Sequence, residues 1–159
     1  MAWNNLPFTH KLVNVSLGPV TTNGGITSDV VSLKNAIRAT FIVSLTQAVG
    51  HATVVSLKQA TDVAAGTNAA GPASPIWANE DVAASDTLVK QTDAASYTVT
   101  SNIKKKQIVI EVDPAALTDT YDCVYLTVSD SSQATNFANI ECLIRSNFQQ
   151  ATPPAAITD

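Results

Sequence analysis

The residues of this chain best suited to hold a metal are His10, His51, Cys123 and Cys142. Zinc sites draw their ligands from tighter clusters of His and Cys than these. The four are spread along the chain and nothing in their spacing predicts that they meet, so the expectation is structural histidines, core cysteines and no metal. Glu80-Asp81 is the one adjacent pair of carboxylates. Glycoside hydrolysis needs two carboxyl groups facing each other across roughly 5–10 Å, whereas neighbours in an extended strand point to opposite faces. Asp62, Asp86, Asp93 and Asp113 each stand at a turn, where Asp bonds local backbone. The stretch "TNGGI" (Thr22 to Ile26) lacks the lysine and the following helix of a phosphate loop. No Gly-x-Ser-x-Gly elbow and no EF-hand pattern occurs. The expectation is a protein that is not an enzyme, with no catalytic residues and no cofactor.

Composition points the same way. A chain of 159 residues is one ordinary domain. Only 14% of it is charged, against about 25% in an average soluble domain. Thr, Ser, Asn and Ala take that space, and such a surface costs little to desolvate when its hydroxyls and amides find partners. That favours life against other proteins. A net charge of −4 with nine Lys and Arg argues against nucleic acid, whose binders need cations along the phosphates. The triplet Lys104 to Lys106 reads as a solvated turn between strands, with a patch for an anionic partner as the alternative. No apolar run approaches the ~18 residues of a membrane span, so no membrane contact is expected. The start lacks a basic segment followed by an apolar run, so no secretion signal is expected. Cys123 and Cys142 are accordingly expected as reduced thiols in strands, a disulfide being the alternative.

The elements that must position these residues are strands. "KLVNVSL" (Lys11 to Leu17) alternates, placing Val13, Val15 and Leu17 on a core face. In "AIRATFIVSLTQ" (Ala36 to Gln47), Ile37, Phe41, Val43 and Leu45 share a face. "HATVVSLKQAT" (His51 to Thr61) follows after "AVG" (Ala48 to Gly50), a link short enough for a hairpin. Asp62 to Pro75 is small, polar and Gly/Pro-bearing, and reads as a loop long enough for a contact role. Trp77 is a buried candidate, before a short strand at Thr87 to Thr92. "ASYTVTSNI" (Ala95 to Ile103) and "QIVIEVD" (Gln107 to Asp113) flank "SNIKKKQ", which reads as a hairpin tip. Ile108, Ile110 and Val112 point inward. Pro114 after Asp113 marks one helical turn. Strands at Tyr121 to Ser129 and Asn139 to Arg145 complete the rhythm.

"VVSLKNA" (Val30 to Ala36) is nearly repeated as "VVSLKQA" (Val54 to Ala60). No third copy follows, so the pair predicts two strands in similar environments, with duplication as the lesser alternative. Val31 and Leu33, and likewise Val55 and Leu57, take the core face, while Ser32, Lys34, Ser56 and Lys58 take the outer one. The whole predicts an all-β fold, a two-sheet β-sandwich of jelly-roll or Greek-key type. It spans residues 10–147, with an extended N-terminal arm at 1–9 and an extended C-terminal arm at 148–159. Extended segments bring unpaired backbone to a neighbour's sheet edge.

Several stretches resemble a family of tailed-bacteriophage virion proteins: "SLKNAIRATFIVSLTQAVGHAT", "SPIWANEDVAASDTLVKQTDAASYTVT", "IVIEVDPAAL", "SSQATNFAN" and "ATPPAAITD". The resemblance implies a structural virion component, foremost a capsid decoration or cement protein that binds the major capsid protein and stabilises the head. It implies the capsid exterior as location and assembly in the host cytoplasm. Other copies of the chain are expected partners, in a homo-oligomer such as a trimer. The family carries no catalytic residues to transfer. The contacts expected are Trp3, Leu6 and Phe8 of the first arm, and Phe148, Gln149, Pro153, Pro154 and Ile157 of the second. Trp3 and Phe8 capping the chain's own core is the alternative. A neck, tail or head-fibre component shares the resemblance, and a carbohydrate-binding module is the alternative of another class.

Overall fold

The computed structural model describes residues 9–148. Its strands are β1 (His10–Asn14), β2 (Val20–Thr21), β3 (Ile26–Thr27), β4 (Val31–Ser32), β5 (Ala36–Thr46), β6 (Thr53–Ala60) and β7 (Asn68–Ala70). After them come β8 (Ile76–Asn79), β9 (Val89–Lys90), β10 (Ser96–Val99), β11 (Lys105–Val112), β12 (Cys123–Val128) and β13 (Phe137–Ser146). A 3-10 turn at Pro114–Ala116 is capped by Asp113, whose carboxylate accepts from the Ala115 backbone amide at 2.9 Å. The strands form two antiparallel sheets, so the expected β-sandwich is the observed fold. One sheet runs β1-β13-β5-β11-β8-β9, with β2 also on β13. The other runs β10-β6-β12-β3, with β4 also on β12 and β7 on β6.

The period-2 pattern does what it dictates. Phe41, Val43 and Leu45 of β5, Ile108, Ile110 and Val112 of β11, and Ile140 and Ile144 of β13 are buried on one sheet's inner face. They meet Val55 and Leu57 of β6 and Val124, Leu126 and Val128 of β12 across the gap. Each side chain of this size removed from water stabilises the fold by about 1.5–3 kcal/mol. The near-repeat also lands as expected: Val31, Leu33, Val55 and Leu57 are all buried, and β4 and β6 both pair with β12.

Several expectations are corrected. The link Ala48–Gly50 is not a hairpin, because β5 and β6 lie in different sheets. Buried Asn136 holds this crossing, accepting from the Ala48 and Val49 amides at 2.9 Å and donating to the Val49 carbonyl at 2.9 Å. "SNIKKKQ" is likewise a crossing between sheets, from β10 to β11. Ile37 leaves the core face because β5 bulges there: Arg145 pairs with Arg38 but Ser146 pairs with Ala36, so Ile37 is the extra, unpaired residue, and it is 44% exposed. Leu17 is 87% exposed, in a left-handed turn at φ 59° whose Ser16 and Gly18 amides donate to the Asn14 side chain. Trp77 is half-buried on the outer face, and its neighbours Ile76 and Ala78 fill the core instead. The 62–75 segment is more than a loop. β7 pairs with β6, and Val63 and Ala65 cover Cys123 and Tyr125 on the outer side of β12.

Candidate functional site

The chemistry-bearing residues that the fold brings together are Lys106, Glu80, Tyr97 and Thr100. Lys106 lies two residues before Ile108, on the inward parity of β11, and its side chain is 0% exposed. Glu80 follows β8 with the same parity as Ile76 and Ala78. Tyr97 and Thr100 come from β10 and its end, in the opposite sheet. The cluster therefore ties the two sheets at one end of the sandwich.

Its geometry is saturated. The Lys106 ammonium reaches Glu80 Oε2 at 2.9 Å, the Thr100 carbonyl at 2.6 Å and Thr100 Oγ1 at 2.8 Å. An ammonium has three donors, so none is left over. The Tyr97 hydroxyl donates to Glu80 Oε1 at 2.8 Å, and the Thr100 hydroxyl to Glu80 Oε2 at 2.9 Å. Burial by itself would raise the Glu80 carboxyl, but the bonds from Lys106, Tyr97 and Thr100 outweigh it and hold the group below its ordinary value. Burial, reinforced by the bond to Glu80, pushes the Tyr97 phenol up to about 12. With every donor and acceptor committed, the cluster is a clamp and presents no activated nucleophile. It corrects the expectation for the lysine triplet: Lys104 and Lys105 are exposed, whereas Lys106 is buried.

Glu80 and Asp81 lie just past the end of β8 and bond to different partners. The bond from Lys104 at 2.7 Å holds the Asp81 carboxyl below its ordinary value. Beside them opens a cleft of about 480 Å³ lined in part by Asn79, Asp81, Gln91 and Tyr97. Among the described residues, no three of His, Cys, Asp or Glu gather as a metal would need. Cys142 and Cys123 are buried in different sheets, and burial pushes the Cys142 thiol up.

The second candidate is a surface. β1 and β13 are antiparallel neighbours with His10 opposite Arg145. Thr9 and Phe148, the first and last described residues, therefore lie near one corner of the sheet. Around that corner stand three exposed apolar side chains: Phe148 at 71%, Leu12 at 57%, and the bulged Ile37. Of the contacts expected from sequence, Phe148 is thus exposed at the corner. Trp3, Leu6, Phe8, Gln149, Pro153, Pro154 and Ile157 lie outside the described residues. Sequence reasoning missed Leu12 and Ile37. Leu12 had a signal, since it alternates outward from Val13 and Val15; Ile37 had none, because the bulge in β5 shows only in its register with β13.

No family model and no curated protein matches the sequence. Solved structures do match. A protein derived from the SPBc2 prophage, YomS, superposes with a TM-score of 0.50 at 12% identity, covering 86% of this chain and 93% of that one. A chain of Desmodium yellow mottle tymovirus gives a TM-score of 0.34 at 13% identity, with 89% of each chain covered. The Clostridium thermocellum xylanase 10B CBM22-1–GH10 structure gives 0.35 at 10% identity, over 96% of this chain and 28% of that one. The first likeness establishes the fold.

Proposed function

We propose that this chain is a non-enzymatic structural protein of a tailed-phage virion, specifically a capsid decoration protein that docks through the corner where both ends of the described chain emerge. The observation that carries this reading is the His10–Arg145 pairing. It places the two ends of the described chain at one corner of a sandwich bearing exposed Phe148, Leu12 and Ile37, next in sequence to a segment with Trp3, Leu6, Pro7 and Phe8 and to another with Pro153 and Pro154. Two segments leaving one anchor can engage two neighbouring sites, and linked contacts multiply modest affinities. A ligand of the assembled shell stabilises that shell by mass action. The low charge suits this, since interface cores are depleted in Lys, Glu and Asp. The prophage origin of the similarly folded protein supports the phage setting.

The test is co-sedimentation of the purified chain with expanded capsids of a phage that encodes it. The full chain should pellet with capsids, and removal of residues 1–8 or 149–159 should each weaken binding at least tenfold. Equal binding by both truncated forms overturns the docking corner. Quantitative mass spectrometry of virions separates the shell from the neck or tail. Decoration of the shell gives hundreds of copies per particle, a neck ring about six to a dozen.

A further inference from the structure

Sheet edges are unpaired hydrogen-bonding templates, and natural proteins normally blunt them. Among the described residues, the first sheet ends on one side at β9, two residues long, and on the other at β1, five residues long. β1 contains no proline and its register with β13 is unbroken. The Val15 amide donates to the Ile140 carbonyl at 3.0 Å, so the odd-numbered residues turn their backbone groups toward β13. By the alternation of an antiparallel ladder, His10, Leu12 and Asn14 turn theirs outward. Leu12 projects from the outer face beside Leu143, its partner on β13. Val13, packed on the core from the inner face, is only partly buried, since no strand closes that side.

We propose that β1 pairs with β1 of a second copy, antiparallel about a two-fold axis at Leu12, joining the two copies' first sheets into one continuous sheet. The occupant of the edge is a second copy because the strand complements itself. With Leu12 opposite Leu12 of the partner subunit, His10 faces Asn14 and Lys11 faces Val13 across the junction. No like charges meet. The outward groups of His10, Leu12 and Asn14 all find partners in this register, and five residues pair on each side. Sliding the axis to Lys11 would set two lysines against each other, which is costly. Sliding it to Val13 would shorten the ladder. In the favoured register Leu12 and Leu143 of both copies form one apolar cluster on the outer face, and the open side of Val13 is covered. A two-fold strand pairing is isologous and closes as a dimer. This inference does not depend on the virion reading.

Sedimentation equilibrium of the full chain across a concentration series tests it. The expected result is a reversible dimer. Leu12→Lys, which places two charges on the axis, should weaken association about a hundredfold. Leu12→Pro should do the same while keeping the ladder to β13, because the lost N–H is one that points outward. Leu12→Cys should cross-link into a dimer on mild oxidation, whereas Val89→Cys at the opposite edge should not. A monomer at the highest soluble concentration, a trimer, or a dimer indifferent to Leu12→Lys overturns the proposal. If the proline variant fails to fold, Leu12→Lys and the cysteine pair decide. Loss of capsid binding with the dimer intact would count against the decoration role alone.

Discussion

Lys106 and Glu80, both carried by the first sheet, are joined at 2.9 Å, with the lysine side chain fully buried and the carboxylate partly open to water. That asymmetry sets unequal consequences for the two partners. Breaking a buried pair by removing one partner costs about 3–5 kcal/mol, because the other charge is stranded. Glu80→Gln strands a buried ammonium and should fall in that range. Lys106→Met leaves a carboxylate that can turn to solvent, and should cost about 1–2 kcal/mol by the same reasoning. Urea unfolding of the two variants measures the order, and a costlier Lys106→Met would refute the clamp as described.

The same cluster makes stability depend on pH at both extremes. Glu80 is held below its ordinary value of 4.5, so its contribution is complete above that value and is lost as pH falls through the lower folded-state value. Tyr97 is raised from 10.0 to about 12, so its contribution is complete below 10 and is lost as pH climbs toward 12. Thermal unfolding from pH 2 to 12 should show both flanks. In Tyr97→Phe the alkaline flank should weaken, and one phenol should vanish from the high end of an ultraviolet titration.

Gly71 donates its amide to the Leu57 carbonyl at 2.9 Å, and a methyl group placed on it would sit 2.5 Å from Leu57 Cγ. Leu57 is fully buried between the sheets and has no room to yield. Gly71→Ala should therefore destabilise by about 1–3 kcal/mol, the usual range for overpacking. Chemical denaturation checks it, and a neutral outcome would mean that β7 and its flank can lift from β6.

Leu17 should respond in the opposite sense. A leucine at φ 59° carries a steric penalty, and at 87% exposure its side chain returns nothing to the domain. Leu17→Asn or Leu17→Gly should stabilise by about 0.5–1 kcal/mol, read as a rise in Tm. A fall in Tm would mean that Leu17 makes contacts within the domain that its exposure does not suggest.

Which of these features could be seen in advance follows from their range along the chain. Alternation is local, so the core faces of β6 and β11 were legible residue by residue. The turn at Pro114 was legible for the same reason, since its cap is the preceding aspartate. Sheet membership is not local. Ala48–Gly50 is as short as a hairpin loop, yet it carries the chain between sheets, and only Asn136 from far along the sequence shows how. Lys106 was misjudged because a charge run suggests solvent, although its parity with Ile108 already pointed inward. Its partners Glu80, Tyr97 and Thr100 sit on other strands, and no sequence window contains them all. Of the exposed corner residues, Phe148 was named from the sequence, whereas the exposure of Ile37 depends on a bulge in β5 that only pairing with β13 reveals.

The position of β13 carries a consequence for the birth of the molecule. This strand, the last in chain order among the described residues, lies between β1 and β5. Until it emerges from the ribosome, β1 has no neighbour in its sheet and one edge of β5, with Phe41 on its face, stands open. The first sheet therefore cannot close before β13 is available. Its assembly ends when β13 slots into the waiting gap, a non-local step of the kind that makes all-β topologies slow to fold. Nascent chains stalled before Phe137 should be bound by chaperones or aggregate, and should become protease-resistant only once β13 is free.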